Sequence, residues 1–278
     1  MNPQYAKNKI FDQFYTKRDV AQTCVNALEK IVKLDDAIVI EPSAGNGAFL
    51  EYLPGHTIAM DLDPKKDEIK QQDFFEYSRE PSNKSVVVVG NPPFGICNRL
   101  SLGFFNHAAK SCHADYIAFI IPKTWRKRSI VIKLDHSFHK IGDVDVPQKA
   151  FDDNKVHVAC CFQIWERRDV LRVDEPRRYP VDGWVFSTVD DADFAIKKSC
   201  TRAGKLHALN ELTKPPSSYF FIKITSSDKQ KVRDVFDKCV PEFMKSALNV
   251  CNRESLSQGE VEKNYITSQE KVLLYFTG

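Results

Sequence analysis

The sequence predicts a doubly wound α/β sheet followed by a smaller second part. Three observations carry that expectation. Short runs that are apolar on successive residues recur through the first 170 positions, helical periodicity stands before and between them, and beyond Trp165 the texture turns charged and proline-bearing. Runs apolar on every residue suit strands covered on both faces, and strand alternating with helix is the pattern of α/β layering. At 278 residues, 42% hydrophobic and 28% charged, the chain can bury such a sheet and an appendage, and wholesale disorder is excluded.

The first element is a helix over 17–33, where Val20, Cys24, Ala27, Leu28, Ile31 and Val32 recur at helical spacing. Thr16, with Asp19 three residues on, caps its start. Strands are expected at 37–41 (AIVIE), 57–61 (TIAMD), 86–90 (VVVVG) and 116–122 (YIAFIIP), with a buried helix at 102–109 between the last two. Further strands are expected at 141–146 and 156–165 (VHVACCFQIW). Residues 167–180 read as a linker or exposed loop. From Gly183 come the aromatic runs WVF and YFFIKI and a helical pattern over 228–250. The boundary is placed near 170, giving parts 1–170 and 171–278.

Forty basic against thirty-seven acidic residues give a net charge of +3, which neither demands nor excludes nucleic acid. Basic residues cluster at Lys123, Arg126, Lys127 and Arg128, and again at Arg167, Arg168, Arg172, Arg177 and Arg178. Such runs are ordinarily solvated faces, unless another argument sets them beside a site. No apolar run approaches the roughly 18 residues that cross a bilayer. The opening Met-Asn-Pro-Gln-Tyr shows no basic-then-apolar leader, so a cytoplasmic or nuclear, non-secreted protein is expected. The eight cysteines form no C-x-x-C pair and read as small buried hydrophobes in a reducing compartment. His136 and His139 lack a third ligand nearby, and no metal is expected.

Two segments carry chemistry. Glu41-Pro-Ser43-Ala-Gly45-Asn-Gly47-Ala-Phe49 follows the first strand directly, and its glycines let the backbone turn sharply and approach a ligand. It matches neither the G-x-x-x-x-G-K-[ST] phosphate cradle nor G-x-G-x-x-G, which makes an NTPase improbable. Asp61 ends the second strand, where a carboxylate can accept from ribose hydroxyls. The sharper segment is Asn91-Pro92-Pro93-Phe94, at the carboxyl edge of the 86–90 strand and on the same rim as the glycine loop. Successive prolines stiffen the backbone and remove two N–H donors. The Asn91 amide oxygen and a proline carbonyl can together accept both hydrogens of an exocyclic amine, while the Phe94 ring stacks on the planar group that bears it.

Taken in that order, EPSAGNGAF and NPPF resemble the amino-methyltransferases that use S-adenosyl-L-methionine, in particular the N6-adenine DNA methyltransferases of the γ arrangement, TaqI-like in type. The resemblance covers about residues 11 to 166 and implies a class I methyltransferase (Rossmann-like) fold, with the part after 170 serving target recognition. It implies that Phe14-Tyr15-Thr16 is the leading cofactor segment, with the threonine near the methionine carboxylate. Glu41, Ser43, Gly45 and Gly47 form the cofactor loop, Asp61 with Leu62 the ribose segment, and Asp73 with Phe74 the adenine-holding pair. Asn91 borders the cofactor as well as the target. Asn91, Pro92, Pro93 and Phe94 would be the catalytic corner, and Phe94 with Phe151, ahead of the strand at 156, would sandwich a target base swung out of its stack. Lys123, Arg126, Lys127 and Arg128 follow the strand ending at Pro122 and would hold backbone phosphates.

Implied, then, is methyl transfer to the N6 amine of adenine in nucleic acid, with DNA taken as the polymer. N6-adenosine methylation of ribosomal or capped messenger RNA is the near alternative. A third enzyme reading is glutamine methylation of a protein. A catalytically silent, cofactor-fold RNA- or partner-binding platform is the non-enzymatic one, and it predicts damage to the loop or to NPPF that the sequence does not show.

Overall fold

Apolar runs separated by polar turns fold here into strands buried on both faces. The computed structural model describes residues 14–152, 158–250 and 253–276. It divides into two compact units, one reaching Trp125 and resuming over Ser129–Asp174, the other built of Arg126–Arg128 and the residues from Glu175 onward. A boundary drawn near 170 therefore falls slightly early and misses the excursion at 126–128.

The first unit runs α1 (Arg18–Glu29), β1 (Ile38–Glu41), β2 (Ile58–Asp61), β3 (Lys70–Gln71), β4 (Val86–Gly90), α2 (Arg99–Lys110), β5 (Tyr116–Pro122), β6 (Phe138–Asp145) and β7 (Cys160–Arg167). Its sheet has the order β3-β2-β1-β4-β5-β7-β6. The pairs from β3 to β5 are parallel, and β7 runs antiparallel to both β5 and β6. This is the doubly wound sheet that the class I methyltransferase resemblance implies. The two sides of β4 show the strand period: Val87 and Val89 pack with Val20, Leu28 and Phe49 on the α1 face, Val86 and Val88 with Phe105 and Ala108 on the α2 face.

Four local expectations differ. Thr16 does not cap α1; Lys17 is the N-cap and its side chain makes no capping bond, while Thr16 bridges to Phe151. The helix stops at Glu29, short of the periodic Ile31 and Val32, because the chain must turn toward β1. The largely apolar β7 runs antiparallel to its neighbours, since burial on both faces favours apolar residues whatever the strand direction. The two-residue β3 carries only exposed Lys70 and Gln71, so no hydrophobic pattern announces it. Between β1 and β2 the described chain makes turns with no helix, yet Phe49 and Leu53 still reach the core.

The second unit comprises β8 (Trp184–Ser187), β9 (Phe194–Lys197), β10 (Leu206–His207), β11 (Tyr219–Ile224), α3 (Lys229–Ala247) and α4 (Gln258–Phe276). Its antiparallel sheet, ordered β10-β9-β11-β8, buries Trp184, Phe194 and Ile222 against Phe236, Phe243 and Tyr265. The rings of Trp184, Phe236 and Tyr265 lie 4.8–5.4 Å apart. The aromatic runs and the first helix are those the sequence announces. The two short strands β9 and β10 and the closing helix are not.

Candidate active site

Strand order fixes the site. The chain reverses its winding between β1 and β4, and in open α/β sheets ligands settle outside the carboxyl ends of strands at such a switch point. The loop after β1 and the corner after β4 leave the sheet there side by side. Ser43 Oγ donates to the Asn91 backbone carbonyl at 3.1 Å, which ties the glycine loop to the Asn-Pro-Pro-Phe corner.

Beside them lies a cavity of about 320 Å³. Its walls include Tyr15, Ser43, Gly45, Asp61, Leu62, Asp73, Phe74, Asn91, Pro92 and Pro93 from the sequence-derived set. Thr16, Glu41 and Gly47 are not among its lining residues. The cavity also takes Phe14 and Pro42 from the two quoted segments, and Gln72, Phe75, Leu100 and Phe104, which the motifs did not single out. Only the contiguity of Gln72 and Phe75 with Asp73-Phe74 pointed toward any of these four; Leu100 and Phe104 arrive through α2.

The loop is held by its acid. Gly45 has φ +54°, and its N–H donates to Asp61 Oδ2 at 2.8 Å, while Asp63 N–H donates to Asp61 Oδ1 at 2.8 Å. A Cβ at Gly45 would stand 3.0 Å from the Tyr15 ring, so glycine is needed both for its φ and for Tyr15's approach. Asp73 accepts from Phe75 N–H at 2.9 Å and so opens a helical turn. Phe74 is buried beneath Phe104 (5.0 Å) and His107 (4.9 Å), whereas the Phe75 ring is 42% exposed.

Asn91 is oriented by the leading segment. Its amide nitrogen donates to the Phe14 carbonyl at 2.8 Å and to Thr16 Oγ1 at 3.1 Å. A carbonyl can only accept, so the nitrogen must face Phe14 and the amide oxygen must face away. That oxygen is buried and has no hydrogen-bond partner. Fully buried Glu41, beside Gly90, carries another unpartnered oxygen. Burial pushes the Glu41 carboxyl well above the usual carboxylate range, Asp61 pushes it the same way, and Lys66 opposes them.

Three sequence-derived assignments are corrected. Phe94 and Phe151 are 6% and 2% exposed and lie outside the cavity wall. They stand 6.4 Å apart at 68°, with Phe14 at 5.9 and 5.8 Å from each. Two faces that sandwich a base must be near parallel with room for it between them; these rings pack edge to face on one another instead. Lys127 is no phosphate-facing cation. Its ammonium, 14% exposed, donates to the carbonyls of Ser246 (2.8 Å) and Ser255 (3.0 Å) and to Glu260 (2.6 Å), all within the second unit. The excursion at 126–128 uses this charge to tie the last turn of α3 and the loop after it to α4. Arg128 bonds the Glu175 carbonyl, Lys123 pairs with Asp145 at 3.0 Å, and Arg126 has interactions of its own.

The later basic cluster is also structural in part, since Arg172 serves the carbonyls of Val131, Leu134 and Phe138. His136 lies 3.3 Å from Asp174, and His139 meets the Val170 carbonyl at 2.7 Å. Among the described residues no group of three His, Cys, Asp or Glu side chains is placed to hold a metal, and no helix is long and apolar enough to cross a membrane.

No protein-family model matches the chain, and no curated protein sequence matches it. Among solved structures it is similar to a protein from Vibrio vulnificus YJ016 provisionally described as a modification subunit of a type I restriction enzyme, at 17% identity and TM-score 0.43, over 56% of this chain and 44% of that one. A structure of a type I restriction-modification system matches at 18% identity and TM-score 0.42, over 56% and 42%. The 23S rRNA methyltransferase ErmE matches at 14% identity and TM-score 0.41, over 59% and 73%. The chain thus spans less than half the length of the two restriction-modification chains.

Proposed function

We propose that the protein transfers a methyl group from S-adenosyl-L-methionine to the N6 amine of adenine in DNA. The observation that carries this reading is the Asn91 amide oxygen: buried, unpartnered, and held in place because its own nitrogen is committed to Phe14 and Thr16. A buried acceptor without a partner at the head of a rigid Pro-Pro corner complements a donor, and an exocyclic amine is such a donor.

The residues present fit the cofactor. Gly45, Ser43 and Tyr15 would take its methionine end, Asp61 and Leu62 the ribose, and Asp73, Phe74 and the exposed Phe75 ring the adenine. When bound, the cofactor supplies an electrophilic methyl group on a positively charged sulfur. The chain's own residues do the rest. An aromatic amine is a poor nucleophile because its lone pair is delocalised into the ring. Asn91 Oδ1 and the Pro92 carbonyl, accepting its two hydrogens, draw the nitrogen toward tetrahedral geometry and concentrate density on it. These bonds strengthen as positive charge grows on nitrogen, so they favour the transition state over the ground state. No separate base is required, because the proton becomes acidic once the new N–C bond forms and leaves to solvent.

The ring open to a base beside Asn91 is Phe14, backed by Phe94 and Phe151, which makes Phe14 the stacking partner and the other two its support. The acceptor set and the apolar wall suit a neutral, planar, amine-bearing group.

The test is incubation with labelled cofactor and matched DNA and RNA oligonucleotides, followed by mass spectrometry of the nucleosides. N6-methyldeoxyadenosine is the expected product. N6-methyladenosine from the RNA alone would move the activity to RNA, and no methylated adenine from either polymer, with cofactor bound, would overturn the reading.

A further inference from the structure

We propose that Gln72 is a further specificity-determining residue of the cavity, whose side-chain oxygen accepts a hydrogen bond from the adenosyl half of the ligand. The inference rests on reading the cavity as the S-adenosylmethionine site. Among the described residues lining it, two carry a buried side-chain polar atom without a hydrogen-bond partner: Asn91, whose oxygen the proposed mechanism uses, and Gln72, whose Oε1 nothing uses. A buried acceptor left unmade costs free energy unless something fills it.

The backbone holds Gln72 in place. It follows β3 directly, and its N–H donates to the Asp61 carbonyl at 3.0 Å. Its neighbour Gln71 turns the other way, exposed, with its amide on the Leu62 carbonyl at 3.2 Å. This places Gln72 between two wall carboxylates, Asp61 and Asp73, each already accepting backbone N–H groups. This stretch of the lining therefore contributes three side chains with acceptor oxygens, and its complement is a ligand rich in donors. The adenosyl group has two kinds: the ribose hydroxyls and the adenine amine. Both present the same chemistry to Gln72, and the experiment separates them.

Titration calorimetry with S-adenosylhomocysteine, which reports binding without turnover, compares wild type with Gln72→Met, a side chain of similar length that cannot accept. A roughly 5- to 10-fold weaker Kd is expected, as for one neutral hydrogen bond. Repeating the titration with the inosine analogue and with the 2′- and 3′-deoxy analogues locates the donor, because the two proteins bind equally well whichever analogue lacks it. Unliganded Gln72→Met is expected to melt no lower than wild type, since the substitution removes an unpartnered oxygen.

Equal affinity of wild type and Gln72→Met for S-adenosylhomocysteine overturns the inference while leaving the cofactor reading standing. So does the same loss with every analogue, which would make Gln72 a matter of shape. Failure of wild type to bind S-adenosylhomocysteine at all overturns the cofactor reading, and this inference with it.

Discussion

Replacing Asn91 by alanine separates the role assigned to its oxygen from the structural role of its nitrogen. The nitrogen makes two hydrogen bonds, to the Phe14 carbonyl at 2.8 Å and to Thr16 Oγ1 at 3.1 Å. At about 1 kcal/mol net for each, their loss lowers stability by about 2 kcal/mol. For a unit of this size that is a fall of roughly 4–8 °C in melting temperature. The unpartnered oxygen contributes nothing to offset this, because the unliganded protein gives it no bond. Its loss appears in the chemical step. Removing one preorganised group aimed at developing charge typically costs about 10²–10³ in kcat, or roughly 2.7–4 kcal/mol. The assay is transfer of labelled methyl to an adenine-containing oligonucleotide at saturating cofactor, paired with calorimetric affinity for S-adenosylhomocysteine. The fall in kcat should far exceed any fall in affinity. Thr16→Val, which deletes one of the nitrogen's two partners and leaves the oxygen, should cost less than about 10-fold. A folded, cofactor-binding Asn91→Ala within about 3-fold of wild-type kcat would refute the assignment.

Three further outcomes follow from the same geometry. Lys127→Met removes a mostly buried ammonium from Glu260 and two carbonyls, and should destabilise the second unit by about 3 kcal/mol; the salt dependence of DNA binding should not change, whereas loss of a phosphate contact would lower its slope by about one. Glu41 binds its proton more tightly folded than unfolded, so stability falls as pH rises from the ordinary carboxylate range toward its raised folded pKa, by at most about 1.4 kcal/mol per unit. Glu41→Gln should flatten that slope and raise the neutral-pH melting temperature; an unchanged slope in urea unfolding at pH 5 to 8 would count against a neutral Glu41. Gly45→Ala forces a left-handed φ on a residue with a Cβ and presses it against Tyr15, and calorimetry should show at least a roughly 10-fold loss of S-adenosylhomocysteine affinity; wild-type affinity would free the loop from that constraint.

What was legible in the sequence was what depends on near neighbours. Val86–Gly90 and Tyr116–Pro122 announce themselves because a strand covered on both faces must be apolar at every position, and their observed bounds coincide with the runs. The glycine loop and the Asn-Pro-Pro-Phe corner could be recognised because φ > 0 and a missing N–H are properties of single residues. Lys70–Gln71 carries no such mark, and neither does the reversal of β7.

The sequence by itself determined the doubly wound sheet and the residue types at the two corners after β1 and β4. Only the tertiary structure decided that those corners are joined through Ser43 and Asn91, that Thr16 positions an amide where a helix cap was expected, that Phe94 and Phe151 pack on Phe14, and that Lys127 is spent inside the second unit. The physical reason is range. Propensity and turn chemistry act over a few residues, whereas Asn91 takes its orientation from a carbonyl 77 residues away and Lys127 its partner from a carboxylate 133 residues away, and no local pattern encodes which partner the folded chain will deliver.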